Sequence, residues 1–145
     1  QGVAMAKRKS RMSVCAGQLR QIGIAVHGYA NAYDDYLPNC SRLAPTVELP
    51  SLRQLLADEL DDGAVFHCPS DHGADSLYDA VNTSYEWNTF ISGKRIDRST
   101  FTILDITIRA PIVGDGDPFH DSVGRNYLYP DGHVTQNATV LIDAN

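Results

Sequence analysis

No stretch of the 145 residues has the roughly 18 consecutive apolar positions that a membrane-spanning helix needs. The first 33 residues contain no Asp, no Glu and no Pro. Cysteine is scarce: Cys15, Cys40 and Cys68 are too few for a disulfide scaffold. None of them falls in the Cys-x-x-Cys spacing of a zinc or redox motif. On composition, one disulfide with one free thiol fits an exported chain, and three buried thiols fit a chain that stays inside. Neither a Gly-x-Ser-x-Gly elbow, a His-Glu-x-x-His pair nor a phosphate-binding glycine loop is present. Ser70, Asp71 and His72 are neighbours in sequence, which rarely converge on one site. The reading is a protein that is not an enzyme, with no catalytic residue assigned.

What is present is ordinary in amount and uneven in placement. Hydrophobic content of 43% with 21% charged residues excludes an intrinsically disordered chain, and the length suits one domain. Residues 1–33 carry five basic residues (Lys7, Arg8, Lys9, Arg11 and Arg20), while residues 34–145 carry seven against all 18 acids. An acidic body offers no extended face for phosphates, so nucleic acid is not an expected partner. A basic arm ahead of that body suits an anionic membrane surface or acidic neighbours.

The absence of proline before Pro38 leaves a long helix free to form. Met5, Met12, Cys15, Leu19, Ile22, Val26, Tyr29 and Tyr33 follow steps of three, four and seven, the period of one helical face. A helix over residues 3–33 would be roughly 46 Å long, more than a body this size can cover. Asp34, Asp35 and Pro38 should end it. Ser51-Leu-Arg-Gln54 is a capping box that opens a second, short helix to about Leu60, closed by Asp61-Asp62-Gly63. Short strands are expected at residues 65–67, 84–87, 112–113, 126–129 and 139–142. Residues 101–108 are apolar and β-branched but alternate only in part. Asp131-Gly132 is a tight hairpin turn. The whole reads as an α+β domain: a helical spine at 3–34, a loop and short helix at 35–63, and a β-rich body at 64–145.

Two metal readings arise. Gly114-Asp-Gly-Asp-Pro-Phe-His-Asp121 places Asp115, Asp117 and Asp121 on a Gly-rich loop, where backbone carbonyls can add to the six to eight oxygens that calcium takes. A solvated acidic turn explains the same residues. For zinc, His67 with Asp71 and His72, or His120 with Asp121, supply fragments of a ligand set, but no motif spacing.

Four segments, in order, carry a resemblance. Cys15-Ala-Gly-Gln-Leu-Arg-Gln-Ile-Gly-Ile-Ala-Val-His-Gly-Tyr-Ala-Asn-Ala-Tyr-Asp-Asp-Tyr-Leu-Pro38 resembles the end of the long helix in a large bacterial family of prepilin-like proteins, whose precursors have a type IV pilin-type cleavage and methylation leader. Phe66-His-Cys-Pro-Ser-Asp71 and Ser84-Tyr-Glu-Trp-Asn88 are similar to two further signatures of that family. His120 followed by Asn126-Tyr-Leu-Tyr-Pro-Asp-Gly-His-Val134 resembles its C-terminal signature. The resemblance implies a pilin-like fold, with a helix spine on a small antiparallel sheet. It implies a structural subunit of a type II secretion pseudopilus or type IV pilus-like assembly, whose partners are other pilin-like subunits and the secretion machinery.

Localisation would be extracytoplasmic, with the precursor anchored in the inner membrane by an upstream apolar helix and the isolated domain monomeric. Met5, Met12, Cys15, Leu19, Ile22 and Val26 would form the assembly face of the helix. A related pseudopilin binds calcium near its C-terminal strands, which directs attention to Asp115, Asp117 and Asp121 as the calcium set. Export implies one disulfide, favouring Cys15 with Cys68 over Cys40 with Cys68. The rival is a membrane-tethered module that binds a metal or an exported polymer through the loops around His120 and Trp87.

Overall fold

In a computed structural model, residues 2–60, 63–98, 100–103, 106–120, 124–136 and 141–144 are described. Helix α1 spans Gly2–Ala32. Its inner stripe is Met12, Cys15, Ala16, Leu19, Ile22, Ala25, Val26 and Ala30, all buried, and residues 2–11 are all exposed. The division follows from length: the body covers about two thirds of the rod, and the first ten residues extend past it by roughly 15 Å. Asp34 and Asp35 close α1 in the left-handed region, with φ of 55° and 66°. The Asp35 N–H returns to the Ala30 carbonyl at 2.8 Å, so two aspartates do the work usually given to glycine. The following turn is held by the segment around Arg95: Leu37 N donates to Lys94 O, and Ile96 N to Asp35 O.

The body supports α1 with a four-stranded antiparallel sheet in the order β1-β4-β5-β6. Its strands are β1 (Tyr85–Trp87), β4 (Val113–Asp115), β5 (Tyr127–Leu128) and β6 (Val134–Thr135). A three-stranded antiparallel sheet has the order β2-β3-β7, from β2 (Thr100–Ile103), β3 (Ile106–Arg109) and β7 (Leu141–Ala144). One long helix with small antiparallel sheets makes the chain α+β, as the sequence implied. The core lies between α1 and the first sheet, where Leu19, Ile22, Val26, Phe66, Trp87, Ile112, Val113 and Leu128 are buried together.

Several expected elements take a different form. Residues 101–108 are not one strand: residues 100–103 and 106–109 pair antiparallel, Thr100 with Arg109 and Ile103 with Ile106. Residues 65–67 were expected in a strand, yet Gly63–Phe66 is a 3-10 turn, which sends Phe66 into the core and leaves Val65 half-buried. Helix α2 is only Leu52–Leu55, with the capping box intact, and continues as turns instead of reaching Leu60. Asp58 and Glu59 put negative charge at its C-terminal end, where the helix dipole disfavours it. A third helix, α3 (Leu77–Val81), was not foreseen. The Asp131-Gly132 turn does close the β5–β6 hairpin, with Gly132 at φ 94° and Leu128 opposite Val134. Residues 139 and 140 of the last expected strand lie outside the described residues.

Two glycines of α1 separate packing from propensity. A Cβ on Gly23 would meet Leu128 Cδ1 at 3.1 Å, whereas one on Gly17 meets nothing within 4 Å. Gly17→Ala should therefore stabilise the fold by about 1 kcal/mol through helix propensity. Gly23→Leu should destabilise it by about 1–3 kcal/mol through overpacking against β5. Urea titration of the two variants reads both signs.

Candidate functional site

The densest polar chemistry lies under α1, where the ends of three sequence motifs meet. Cys15, on the inner stripe, is bonded to Cys68, with their Cα atoms 5.2 Å apart and both side chains fully buried. Cys40 is the remaining thiol and is also buried. The pairing is the one that the resemblance favoured. Its structural consequence is that α1 is covalently fastened to the loop ahead of α3.

That loop is built around two buried side chains, Asp71 and Ser84. Asp71 accepts from the first N–H groups of α3 (Leu77 N and Tyr78 N, each 2.8 Å) and from Ser84 Oγ at 2.7 Å. Ser84 Oγ accepts in turn from Cys68 N at 3.0 Å. A five-residue helix cannot hold itself together, so this carboxylate supplies what its N-terminus lacks. Asp71 is therefore committed to structure. His67 places Nε2 2.9 Å from the Asp71 backbone carbonyl and stacks on Tyr78, while His72 is exposed. Ser70, Asp71 and His72 form no catalytic triad, because Asp71 points inward and His72 outward.

Next to the disulfide sits a second pair. His120 Nε2 lies 3.2 Å from Asp115 Oδ2 and 3.8 Å from Cys68 Sγ, all of it inaccessible to solvent. Asp115 Oδ2 also accepts from Asn126 N at 2.8 Å, and Asn126 Nδ2 donates to the Met12 carbonyl of α1 at 3.1 Å. Among the described residues, Asp115 Oδ1, His120 Nδ1 and Asn126 Oδ1 have no hydrogen-bond partner. Tyr85, opposite Asp115 in the β1–β4 register, donates to Gln18 Oε1 of α1 at 2.6 Å. Burial, with the charges of Asp115 and Asp71 behind it, raises the Tyr85 hydroxyl pKa far above its ordinary value. Gln18 Nε2 passes the chain of bonds on to His67 O. The sheet's far end is tied separately, with His27 Nε2 2.7 Å from Pro130 O. In the same hairpin, burial pushes the Asp131 carboxyl up, but the backbone N–H and ring of His133 outweigh it and hold the pKa below its usual value.

Of the calcium set, Asp115 and Asp117 stand in different surroundings. Asp115 is wholly buried on His120 and Asn126, Asp117 is exposed beyond the strand, and Asp121 lies outside the described residues. Among the described residues, neither Asp115 nor Asp117 belongs to a cluster of three metal-ligating side chains; the cluster that does form is Cys15, Cys68 and His120. The helix face also divides. Of the six positions expected to form the assembly face, Met12, Cys15, Leu19, Ile22 and Val26 are fully buried against this chain's own body and Met5 is exposed. The apolar positions open to a neighbour lie elsewhere on α1, at Val3, Val14 and Ile24. Asn126, which opens the C-terminal signature, was given no role of its own; a single Asn just before a strand carries no signal until its partners are known.

A shallow cleft of about 240 Å³ opens on the other side of the sheet, lined by Arg42, Glu86, Trp87, Phe90 and Tyr127 among others. Its Phe90 is 80% exposed, while Trp87 is buried and donates through Nε1 to Ser92 Oγ at 2.7 Å. Trp87 thus offers the cleft no exposed ring for stacking.

Removing the imidazole in His120→Ala leaves the buried Asp115 Oδ2 with one partner fewer. The variant should lose about 3 kcal/mol of stability, read from the urea midpoint. Cys40 gives a pH signature. Burial raises its thiol to about 12, so the folded chain keeps a proton that the unfolded chain has released above about pH 9. The contribution is intact below the ordinary thiol pKa and is lost as pH rises from there toward 12. Stability should fall by up to about 1.4 kcal/mol per pH unit over that window, and Cys40→Ala should remove this component of the slope. Compared with known proteins, the chain matches no family model, no curated protein and no solved structure.

Proposed function

We propose that this chain is the extracytoplasmic part of a structural subunit in a type II secretion pseudopilus or type IV pilus-like assembly, acting by packing and not by catalysis. The observation that carries the reading is the two-part helix α1. Its residues 12–30 are fastened to the body by apolar burial, a disulfide and side-chain hydrogen bonds, and residues 2–11 project as an exposed basic rod. A helix that runs past its own core has surface to give to neighbours. The fastening suits a part that must keep a fixed angle between rod and body. The four family-like segments support the same reading, since each forms part of the seam between α1 and the sheet or of the sheet beside it.

In this reading the pilin-like fold places the rod among the rods of other subunits and turns the sheet outward. The precursor is anchored in the inner membrane upstream of the rod, and the partners are further pilin-like subunits and the secretion machinery. The cleft beside Arg42, Glu86 and Phe90 favours a second reading, a membrane-tethered module that holds an exported polymer.

Cysteine cross-linking separates the two. Val14 and Ile24 are 51% and 74% exposed on the outer side of α1. With Val14→Cys and Ile24→Cys introduced together into the complete gene in its native cells, mild oxidation should give a ladder of covalent multimers beyond the dimer. The isolated domain should run as a monomer in gel filtration. Monomers alone from the complete protein would rule out the filament and leave the tethered module.

A further inference from the structure

The buried cluster beside the disulfide has a composition that the oxidised chain does not use. We propose that, in its dithiol state, the chain holds one zinc ion between Cys15 Sγ, Cys68 Sγ and His120 Nε2, with the Asp115 carboxylate as the nearest fourth donor. The three first-named ligand atoms lie within 4.8 Å of one another, and all three residues are buried. His120 Nε2 is 3.8 Å from Cys68 Sγ and 3.2 Å from Asp115 Oδ2. Tetrahedral zinc, with Zn–S near 2.3 Å and Zn–N near 2.0 Å, separates sulfur from nitrogen by about 3.5 Å and nitrogen from oxygen by about 3.3 Å. Those two edges are close to the distances found, while the sulfurs, bonded to each other in the oxidised chain, must move apart to about 3.8 Å to share the ion. Two thiolates with an imidazole select a soft or borderline cation and not calcium.

A second observation points to the same place. Among the described residues, Asp115 Oδ1, His120 Nδ1 and Asn126 Oδ1 are buried without hydrogen-bond partners, although buried polar groups nearly always have them. Of these atoms, Asp115 Oδ1 belongs to the carboxylate offered as fourth donor, and a cation held there would satisfy it. The disulfide closes the site, because bonded sulfurs are not thiolate ligands. The dithiol state exists in every newly made chain before oxidation. It can also be regenerated by a dithiol reductant: two electrons and two protons pass to Cys15 and Cys68, and the reductant leaves as its own disulfide. Zinc then binds the two sulfurs as thiolates, and their protons go to solvent. The site would hold α1 against the loop ahead of α3 before the covalent bond forms, and oxidation would expel the ion.

The test uses the Cys40→Ser chain, so that only two thiols remain. The protein is reduced, freed of reductant without oxygen, and titrated with Co²⁺ and then Zn²⁺. One equivalent of Co²⁺ should give thiolate-to-metal charge-transfer absorption, which Zn²⁺ abolishes and which the oxidised chain never shows. His120→Ala should weaken binding by about tenfold or more. Because that variant can fail to fold, X-ray absorption at the zinc edge of the reduced chain with His120 intact provides the independent reading. It should find two sulfurs near 2.3 Å and an imidazole nitrogen near 2.0 Å. A reduced chain that gives no charge-transfer band overturns the proposal, and so does a zinc shell without imidazole.

Discussion

The fold depends on holding one rod against one small sheet. The first sheet has only two or three residues per strand, too little to stand alone, and α2 and α3 are a single turn or slightly more. None of these pieces has an independent reason to form. They are organised by the buried stripe of α1, which meets Leu128 and Val113 from the sheet and Phe66 from the turn before Cys68. The apolar contact supplies most of the driving force, and it is non-directional. Direction comes from the polar ties: Tyr85 to Gln18, Asn126 to the Met12 carbonyl, His27 beside the Pro130 carbonyl, and the Cys15–Cys68 bond. Each reaches α1 at a different turn, so the rod can neither slide nor rotate without breaking several.

The buried polar residues divide into two groups with different purposes. Asp71 and Ser84 are nearly saturated: their oxygens take up N–H and O–H groups that a short helix and an irregular loop would leave orphaned. Asp115, His120 and Asn126 are under-satisfied among the described residues, and His120 joins them to the disulfide. Low local dielectric strengthens a complete network and penalises an incomplete one. The second group, and not the first, is therefore the candidate for ion binding.

How much of this the sequence carried varies with the range of the interaction. Helix α1 was legible almost to the residue, because a period repeated over seven turns is a strong signal and proline was absent. The capping box at Ser51 and the Asp131-Gly132 turn were legible for the same local reason. The 3-10 turn at Gly63–Phe66 was not, since Phe66 is drawn inward by the core and its neighbours give no period. Helix α3 was hidden because its first turn is completed by Asp71, six residues before Leu77. In the acidic loop the environment of each carboxylate was not legible: Asp115 and Asp117 are two residues apart, yet one is in the core and the other in solvent. Composition cannot distinguish a carboxylate facing water from one facing a histidine.

The position of the disulfide along the rod has a mechanical consequence. Cys15 is among the first residues of α1 to touch the body, only Met12 preceding it on the buried stripe. A pull on the projecting arm therefore meets a covalent bond almost as soon as it enters the core. Tension leaves the rod at Cys15 and crosses to Cys68, 53 positions on in sequence. The intervening chain, including the rest of α1 and all of α2, is bypassed. Load carried onward into the sheet would leave that segment slack, so the part of the core built on Leu19, Ile22 and Val26 would be spared the strain that the arm transmits.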